Sequence, residues 1–194
     1  HSTFFVRVIK DSNIRKGWPV KEPYGHWLGS SPTLSDLDHD NNNDVVLGGW
    51  SKIFILNYSG GELFSAGLFT ITSKPSIGDL EGDGNFEVVF NDNYGIITVF
   101  NNIGQVLWQK NAGDSSNMYG STTLTDLNGD GKLEIVVGND NGRLRVFDFQ
   151  GNILWLNQTI GSISGVSVGD LDNNGNLEIV VPSYNHETGK FRIY

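Results

Sequence analysis

Four acidic stretches, each followed at once by a β-branched strand, constrain the fold of this chain more than any other feature. They read DLDHDNNNDVVLG from Asp36, DLEGDGNFEVVF from Asp79, DLNGDGKLEIVVG from Asp126 and DLDNNGNLEIVV from Asp170. Their first residues are 43, 47 and 44 positions apart. A period of this size is typical of folds that stack or arrange one supersecondary unit repeatedly.

Each of the first three repeats has the pattern of four short strands, which we call A to D. Strand A enters the acidic loop and strand B leaves it, a turn rich in Asn, Asp and Gly leads to an alternating strand C, and a Gly-centred turn leads to strand D. No window has helical periodicity. The sequence therefore predicts an all-β fold, a β-propeller of four-stranded antiparallel blades with four blades visible. It forms a single domain over residues 1–194, with repeats at approximately 30–70, 73–112, 120–160 and 163–194.

The first 20 residues carry strand patterns that precede the four repeats. The fourth repeat has strands A, B and C, and the segment Ile14–Val20 has the character of a strand D, with Trp18 where later D strands carry Trp108 and Trp155. We predict that this segment closes the ring as the fourth strand D, which would hide two sheet edges.

One N-terminal strand, FFVRVI from Phe4 to Ile9, is then surplus. It pairs at an edge of its own ring, competes with the last strand C (KFRIY), or adds to a neighbouring molecule. The last arrangement would give a homo-oligomer or a fibre. A different interpretation is that the chain is a fragment of a larger propeller.

The net charge of −9 argues against nucleic-acid binding, which needs clustered Lys and Arg. Of the 22 acidic residues, 14 lie in the four stretches, and outside them 8 acids face 12 bases. Acids packed so closely repel one another unless a cation lies among them. The chain has no Cys, which excludes disulfides and Cys zinc sites, and no apolar run is long enough to span a bilayer.

Numbered from its first Asp, each acidic loop has oxygen-bearing side chains at positions 1, 3 and 5, a turn residue at position 6 and an acid at position 9. The backbone carbonyl of position 7 is a further candidate ligand. Six or seven oxygen ligands without nitrogen or sulfur favour Ca²⁺ over Mg²⁺, so we predict up to four Ca²⁺ sites. The candidate ligands are Asp36, Asp38, Asp40, Asn42 and Asp44 in loop 1, Asp79, Glu81, Asp83, Asn85 and Glu87 in loop 2, Asp126, Asn128, Asp130, Lys132 and Glu134 in loop 3, and Asp170, Asp172, Asn174, Asn176 and Glu178 in loop 4.

The pattern D-x-[DN]-x-[DN]-G-x-x-[DE] followed by EIVVG closely resembles the FG-GAP/VCBS repeats of integrin α-subunit propellers and many secreted microbial proteins. The resemblance covers about residues 30–194 and implies Ca²⁺ between strands A and B at the positions just named. Integrin propellers have seven blades and the literal Phe-Gly and Gly-Ala-Pro signatures are absent here, so integrin-like ligand recognition does not follow.

Catalysis has weak candidates, because most acids belong to the loops and the His residues show no metal or triad spacing. They are His1, His26, His39 and His186. A polysaccharide-active enzyme, the alternative function, would need a carboxylate pair assembled from separate blades.

Binding has more support, because the face opposite the acidic loops gathers aromatic residues. Exposed aromatic rings with polar groups suit a glycan or protein ligand; the alternative is that they plug the propeller axis. The candidate ligand face consists of Tyr24, His26, Trp27, Trp50, Tyr94, Tyr119, Tyr184 and His186, with Met118 beside them.

Two sequons, at Asn57 and Asn157, are candidate glycosylation sites. They fit an extracellular or cell-surface location, where millimolar Ca²⁺ keeps weak sites filled. The sequence thus predicts a non-catalytic extracellular Ca²⁺-binding propeller, either an adhesion or recognition module or a self-assembling structural subunit.

Overall fold

The structure is a computed structural model, and it describes residues 5–10, 13–21, 29–50, 52–67, 71, 73–112, 120–185 and 188–193. Within these ranges every regular element is a β-strand and no helix occurs, as the alternating sequence patterns predict. The same described residues accordingly hold no helix suited to crossing a bilayer.

The N-terminal strands form a hairpin with each other. Its elements are β1 (Phe5–Val6), β2 (Ile9–Lys10), β3 (Asn13–Ile14) and β4 (Val20–Lys21), paired β1 with β4 and β2 with β3. The register changes between the two pairs, around Gly17, whose φ of 91° is in the left-handed region.

Three complete four-stranded antiparallel sheets follow, each in the order A-B-C-D, and we call them blades 1 to 3. Blade 1 contains β5 (Thr33–Ser35), β6 (Asp44–Gly48), β7 (Lys52–Leu56) and β8 (Glu62–Gly67). Blade 2 contains β9 (Ser76–Gly78), β10 (Glu87–Asn91), β11 (Ile96–Phe100) and β12 (Val106–Asn111). Blade 3 contains β13 (Thr123–Thr125), β14 (Glu134–Gly138), β15 (Arg143–Phe147) and β16 (Ile153–Gln158). Strands C and D shift register at the same place in all three, which shows that the blades repeat in detail.

Blade 4 has interrupted strands. Its elements are β17 (Ser162–Ile163), β18 (Ser167–Gly169), β19 (Glu178–Val180), β20 (Pro182–Asn185) and β21 (Lys190–Ile193). Strand β18 pairs with β19, and β20 lies between β17 and β21. Together β17 and β18 follow the course of strand A, β19 and β20 that of strand B, and β21 that of strand C.

The described sheets do not close into a ring. Strands β3 and β4, expected beside the fourth blade, pair instead with β2 and β1, so the described part of the N-terminal segment, residues 5–10, is half of a hairpin rather than a surplus strand. Among the described residues β21 is an edge strand. The number of blades around a closed ring stays a prediction.

The core consists of four apolar clusters, one between each pair of consecutive units. Each cluster joins strands B and C of one unit to the next, since these central strands are buried on both faces. The hairpin takes part in the first cluster through Trp18, which packs with Val45, Leu47, Phe54 and Leu56 of blade 1.

At two interfaces a Trp side chain is hydrogen-bonded to the C–D turn of the next unit. The indole Nε1 of Trp18 donates to Tyr58 O at 3.3 Å, and that of Trp108 donates to Phe149 O at 2.8 Å. Trp18 thus relates to blade 1 as Trp108 of blade 2 relates to blade 3. The hairpin therefore packs in the way strands C and D of a preceding blade would, and the acidic loops that join strands A and B lie in series along one side of the blades.

Candidate metal-binding loops

Each acidic loop is closed by the same hydrogen bond. The acid at position 9, which we call the closing acid, accepts from the backbone N–H of position 2, and this bond ties the end of the loop to its start. The four bonds run from Leu37 to Asp44 at 3.0 Å, from Leu80 to Glu87 at 2.8 Å, from Leu127 to Glu134 at 2.7 Å and from Leu171 to Glu178 at 2.8 Å.

The Asp at position 1 organises the interior of each loop. In loop 3, for example, Asp126 accepts from the backbone N–H of Asp130 at 3.1 Å and of Gly131 at 2.9 Å. The same pair of bonds occurs in the other three loops. The side chain at position 5 accepts in turn from the N–H of position 7 in all four loops. Four loops of different sequence therefore have one backbone shape.

Two positions of this shape need a positive φ. Position 6 was predicted, and it has φ values of 65° at Asn41, 92° at Gly84, 85° at Gly131 and 87° at Gly175. Position 4 was missed by the sequence reasoning, and it has 59° at His39, 75° at Gly82, 76° at Gly129 and 58° at Asn173. Gly, Asn and His are among the residues that tolerate this conformation, so the residue types at position 4 carried the signal.

Carboxylates converge in loops 1 and 4. Oxygen atoms of Asp36, Asp38 and Asp40 all lie within 4.8 Å of one another. Those of Asp170, Asp172 and Glu178 do the same. Both groups can hold a metal ion. In loop 3 the amide of Asn128 lies 3.2 Å from Asp130 Oδ2 and 3.3 Å from Glu134 Oε1, so its positions 3, 5 and 9 also meet.

One carboxylate oxygen of Asp44 is buried without a hydrogen-bond partner in the protein. Its carboxyl group is 1% exposed, Oδ2 accepts from Leu37 N, and Oδ1 is buried without a hydrogen-bond partner. A buried acceptor without a partner costs about 1–3 kcal/mol, so such an atom in a loop whose backbone shape recurs four times indicates that the loop binds a ligand. A cation held by loop 1 would satisfy it, because Asp44 is the closing acid of that loop.

The electrostatics of the closing acids agree with this interpretation. Burial is the largest cause that raises the pKa of Asp44, Glu87 and Glu134, and neighbouring loop carboxylates raise the pKa of all three further. Backbone hydrogen bonds act oppositely at two exposed loop acids: Asn85 N–H lowers the pKa of Asp83, and Gly131 N–H lowers that of Asp126. Buried carboxylates beside ionised ones make these loops well suited to a divalent cation.

Position 7 has its side chain away from the expected cation. The Lys132 ammonium lies over the ring of Phe149, 4.2 Å from its centroid, so only its backbone carbonyl can serve as a ligand. The amides of Asn42, Asn85 and Asn176 bond back to position 5 of their own loops. Glu81, at position 3 of loop 2, is exposed.

Comparison with known families identifies part of this repeat. Residues 126–181, which contain loop 3, strands β14 to β19 and loop 4, match the family model of the FG-GAP-like repeat. The chain carries an FG-GAP-like repeat. The recognition made from sequence is confirmed over this range. No sequence match to a curated protein reaches significance.

Solved structures similar to this chain are propeller-like, which supports the predicted architecture. The V. cholerae biofilm matrix protein Bap1 has 21% identity and a TM-score of 0.74 over 98% of this chain and 31% of its own. BBS1N, in complex with ARL6DN, has 14% identity and a TM-score of 0.69 over 100% of this chain and 59% of its own. BamB from Moraxella catarrhalis has 19% identity and a TM-score of 0.57 over 87% of this chain and 43% of its own. The chain with the FG-GAP-like repeat therefore spans between about a third and three fifths of these chains' length.

The candidate ligand face is described in part. Trp50, in the B–C turn of blade 1, is 58% exposed, and Tyr94, in the B–C turn of blade 2, is 60% exposed. Tyr184 is half-buried and belongs to strand β20, where it pairs with Ser162. The other members of this face lie outside the described residues: Tyr24, His26, Trp27, Met118, Tyr119 and His186.

The two sequon residues differ in their surroundings. Asn57 Oδ1 accepts from the backbone N–H of Ser59 at 3.0 Å and of Gly61 at 2.8 Å, which shapes the C–D turn of blade 1. Asp148 makes the same bonds in blade 3, so turn geometry alone accounts for a short polar residue here. Asn157 is exposed on the outer strand β16.

Proposed function

We propose that this chain is an extracellular, Ca²⁺-binding β-propeller module that acts by contact, in adhesion or recognition, and not by catalysis. The observation that carries the proposal is the buried Oδ1 of Asp44, which has no hydrogen-bond partner in a loop where three other carboxylates converge. The identical backbone shape of loops 2 to 4 extends the proposal to four sites.

Ca²⁺ fits the donor set of these loops. The side chains at positions 1, 3, 5 and 9 and the carbonyl of position 7 are all hard oxygen donors, and carboxylate-rich loops with six to eight oxygens suit Ca²⁺. The ion would neutralise carboxylates that raise the pKa of the closing acids Asp44, Glu87 and Glu134. Because the same loops connect strands A and B, ion binding would stabilise the folded blades.

We assign recognition to the face opposite the acidic loops. Trp50 and Tyr94 occupy equivalent B–C turns of neighbouring blades and expose flat rings, which suits stacking on a sugar ring or on an apolar protein patch. Bap1, whose fold resembles this one, is a biofilm matrix protein, and FG-GAP repeats are typical of extracellular proteins. Both facts support a contact function outside the cell.

Self-assembly through the N-terminal strands is the second candidate. Phe5 and Ile9 are 41% and 60% exposed, and could lie against another molecule. Strands β1 and β2 are already paired with β4 and β3, however, so strand exchange would first break those bonds. We therefore favour recognition. Deleting residues 1–9 should leave ligand binding intact under this view and abolish an oligomer under the other.

The experiment combines ion removal with ligand binding. Calorimetric titration of the chelator-treated chain should show Ca²⁺ binding, and a glycan and protein array should show a ligand that the Trp50→Ala and Tyr94→Ala variants lose. Trp155→Ala is the matched control, because Trp155 is 39% exposed on the outer strand β16. A chain that binds no Ca²⁺, or a ligand lost equally in all three variants, would contradict the proposal. Turnover on a polysaccharide panel would favour an enzyme.

A further inference from the structure

Loops 2 and 3 are joined by a backbone hydrogen bond. The N–H of Leu133, at position 8 of loop 3, donates to the carbonyl oxygen of Leu80, at position 2 of loop 2, at 3.0 Å. Leu80 is 1% exposed and Leu133 packs against the same apolar cluster. The contact is therefore a buried bond between two candidate metal sites on neighbouring blades.

The two residues of this bond are adjacent to candidate ligands on both sides. The N–H of Leu80 donates to the closing acid Glu87 at 2.8 Å, while its carbonyl accepts from Leu133. Leu133 lies between Lys132, whose carbonyl is a candidate ligand, and Glu134, the closing acid of loop 3. A shift of either loop therefore moves a residue next to a ligand of the other.

A second close approach reinforces the first. A Cβ atom at Gly82, position 4 of loop 2, would lie 3.1 Å from the carbonyl oxygen of Gly131, position 6 of loop 3. Spacing this tight means that the two loops cannot change shape independently at this point.

Loops 1 and 2 lack the equivalent backbone connection. The carbonyl oxygen of Leu37, which corresponds to that of Leu80, accepts from the side-chain amide of Asn102 at 3.3 Å. Asn102 belongs to the C–D turn of blade 2 and not to loop 2. These two loops contact through side chains: the rings of His39 and Phe86 have centroids 6.4 Å apart, and Phe86 packs against the apolar cluster that contains Leu37.

We propose that loops 2 and 3 bind Ca²⁺ with positive cooperativity, whereas loops 1 and 2 bind independently. The inference rests on the proposed function and adds its regulation. An ion in one loop orders the Leu80–Leu133 bond, so the second ion binds a loop whose shape is already fixed. One hydrogen bond contributes a net effect that corresponds to roughly a fivefold change in affinity.

The test uses the 194-residue chain with loops disabled by replacing the closing acid, an acid in all four loops, with its amide. Asn or Gln keeps the oxygen that accepts from the N–H of position 2 and removes a charge that holds the ion. Asp44→Asn and Glu178→Gln disable loops 1 and 4, and adding Glu87→Gln or Glu134→Gln leaves only loop 3 or only loop 2. Calorimetry should give the two-loop chain a product of binding constants about fivefold above the product of the two single-loop constants.

A matched pair of loops supplies the control. Glu134→Gln with Glu178→Gln leaves loops 1 and 2, whose two constants should equal those of the corresponding single-loop chains. Equal products in both pairs would overturn the coupling while leaving Ca²⁺ binding intact. Failure of every chain to bind Ca²⁺ would overturn the proposed function itself, so the two failures are distinct.

Two glycines test the contact directly. Gly82 and Gly129 both occupy position 4, with φ of 75° and 76°, but a Cβ at Gly129 meets nothing within 4 Å. Gly82→Ala should weaken the binding of Ca²⁺ to loop 3 in a chain whose loop 2 is disabled. Gly129→Ala should leave loop 2 unchanged in a chain whose loop 3 is disabled. Loss in both chains, or in neither, would contradict the inference.

Discussion

Asp44→Asn should have opposite effects on stability without and with Ca²⁺. Asp44 holds a buried charge with one unpartnered oxygen, and the carboxylates of Asp36, Asp38 and Asp40 repel it. Asn keeps an acceptor for Leu37 N and places an amide donor toward those carboxylates. In chelator the variant should therefore be more stable than the natural chain.

The magnitudes follow from the geometry. Removing one buried unpartnered acceptor should stabilise the calcium-free protein by about 1–2 kcal/mol. For a chain of this size that corresponds to a midpoint about 4 °C higher. With Ca²⁺ at about 100 times its dissociation constant, one filled site stabilises the natural chain by about 2.7 kcal/mol. The variant lacks this gain, so in Ca²⁺ it should be less stable than the natural chain by about 1 kcal/mol.

The assay is thermal and urea unfolding in chelator and in Ca²⁺. Asp148→Asn is the matched control: Asp148 shapes the C–D turn of blade 3, where blades 1 and 2 have Asn57 and Asn101, so the exchange should be tolerated in both buffers. If Asp44→Asn is the less stable protein in both buffers, or gains as much from Ca²⁺ as the natural chain, then Asp44 is a structural acid and the reasoning fails.

Three further predictions concern the pH dependence of stability, the Trp108 contact between blades 2 and 3, and a tight turn. In calcium-free buffer, the stability contributed by the closing acids with raised pKa is fully present below their ordinary pKa values, near 4, and is lost as pH rises through the raised values. In Ca²⁺, acidification should instead lower the stability, because protons displace the ion. Urea unfolding across pH 4–7 in both buffers checks both signs. Trp108→Ala should destabilise by about 2–3 kcal/mol, since it removes ring packing and the bond to the next blade, whereas Trp155→Ala on the exposed strand should change stability by less than about 1 kcal/mol. Gly104→Ala should cost more than about 2 kcal/mol because a methyl group there would overlap the ring of Phe64, while Gly84→Ala, with similar positive φ and nothing within 4 Å, should cost about 1 kcal/mol in chelator. Equal losses within either pair would refute the contact assigned to it.

Local structure in this chain could be predicted well because the same order of strands and turns recurs in the repeats. Alternation and Gly-centred turns predicted the blade strands, and the spacing of acids predicted the carboxylates that meet in loops 1 and 4. The closing acids were named from position alone, and the structure adds why that position matters: each bonds the N–H at position 2. The positive φ at position 4 was missed because His39 and Asn173 obscure what Gly82 and Gly129 suggest.

Long-range arrangement was harder to predict, for physical reasons. The N-terminal strands are two residues long and are separated by a register change at Gly17, so periodicity could not show that they pair with each other. Contacts between blades depend on single atoms, such as the indole nitrogen of Trp108 or the carbonyl of Leu80. Sequence spacing contains no information on which backbone groups meet across a blade interface.

Counting the ions bound per chain tests the central claim most directly. Native mass spectrometry of the chelator-treated chain, titrated with Ca²⁺ and separately with Mg²⁺, reports that number without assuming a ligand or an assembly. We predict up to four Ca²⁺ ions, with one fewer in Asp44→Asn, and weak occupancy by Mg²⁺. A chain that stays metal-free at millimolar Ca²⁺, or an unchanged count in Asp44→Asn, would contradict the account.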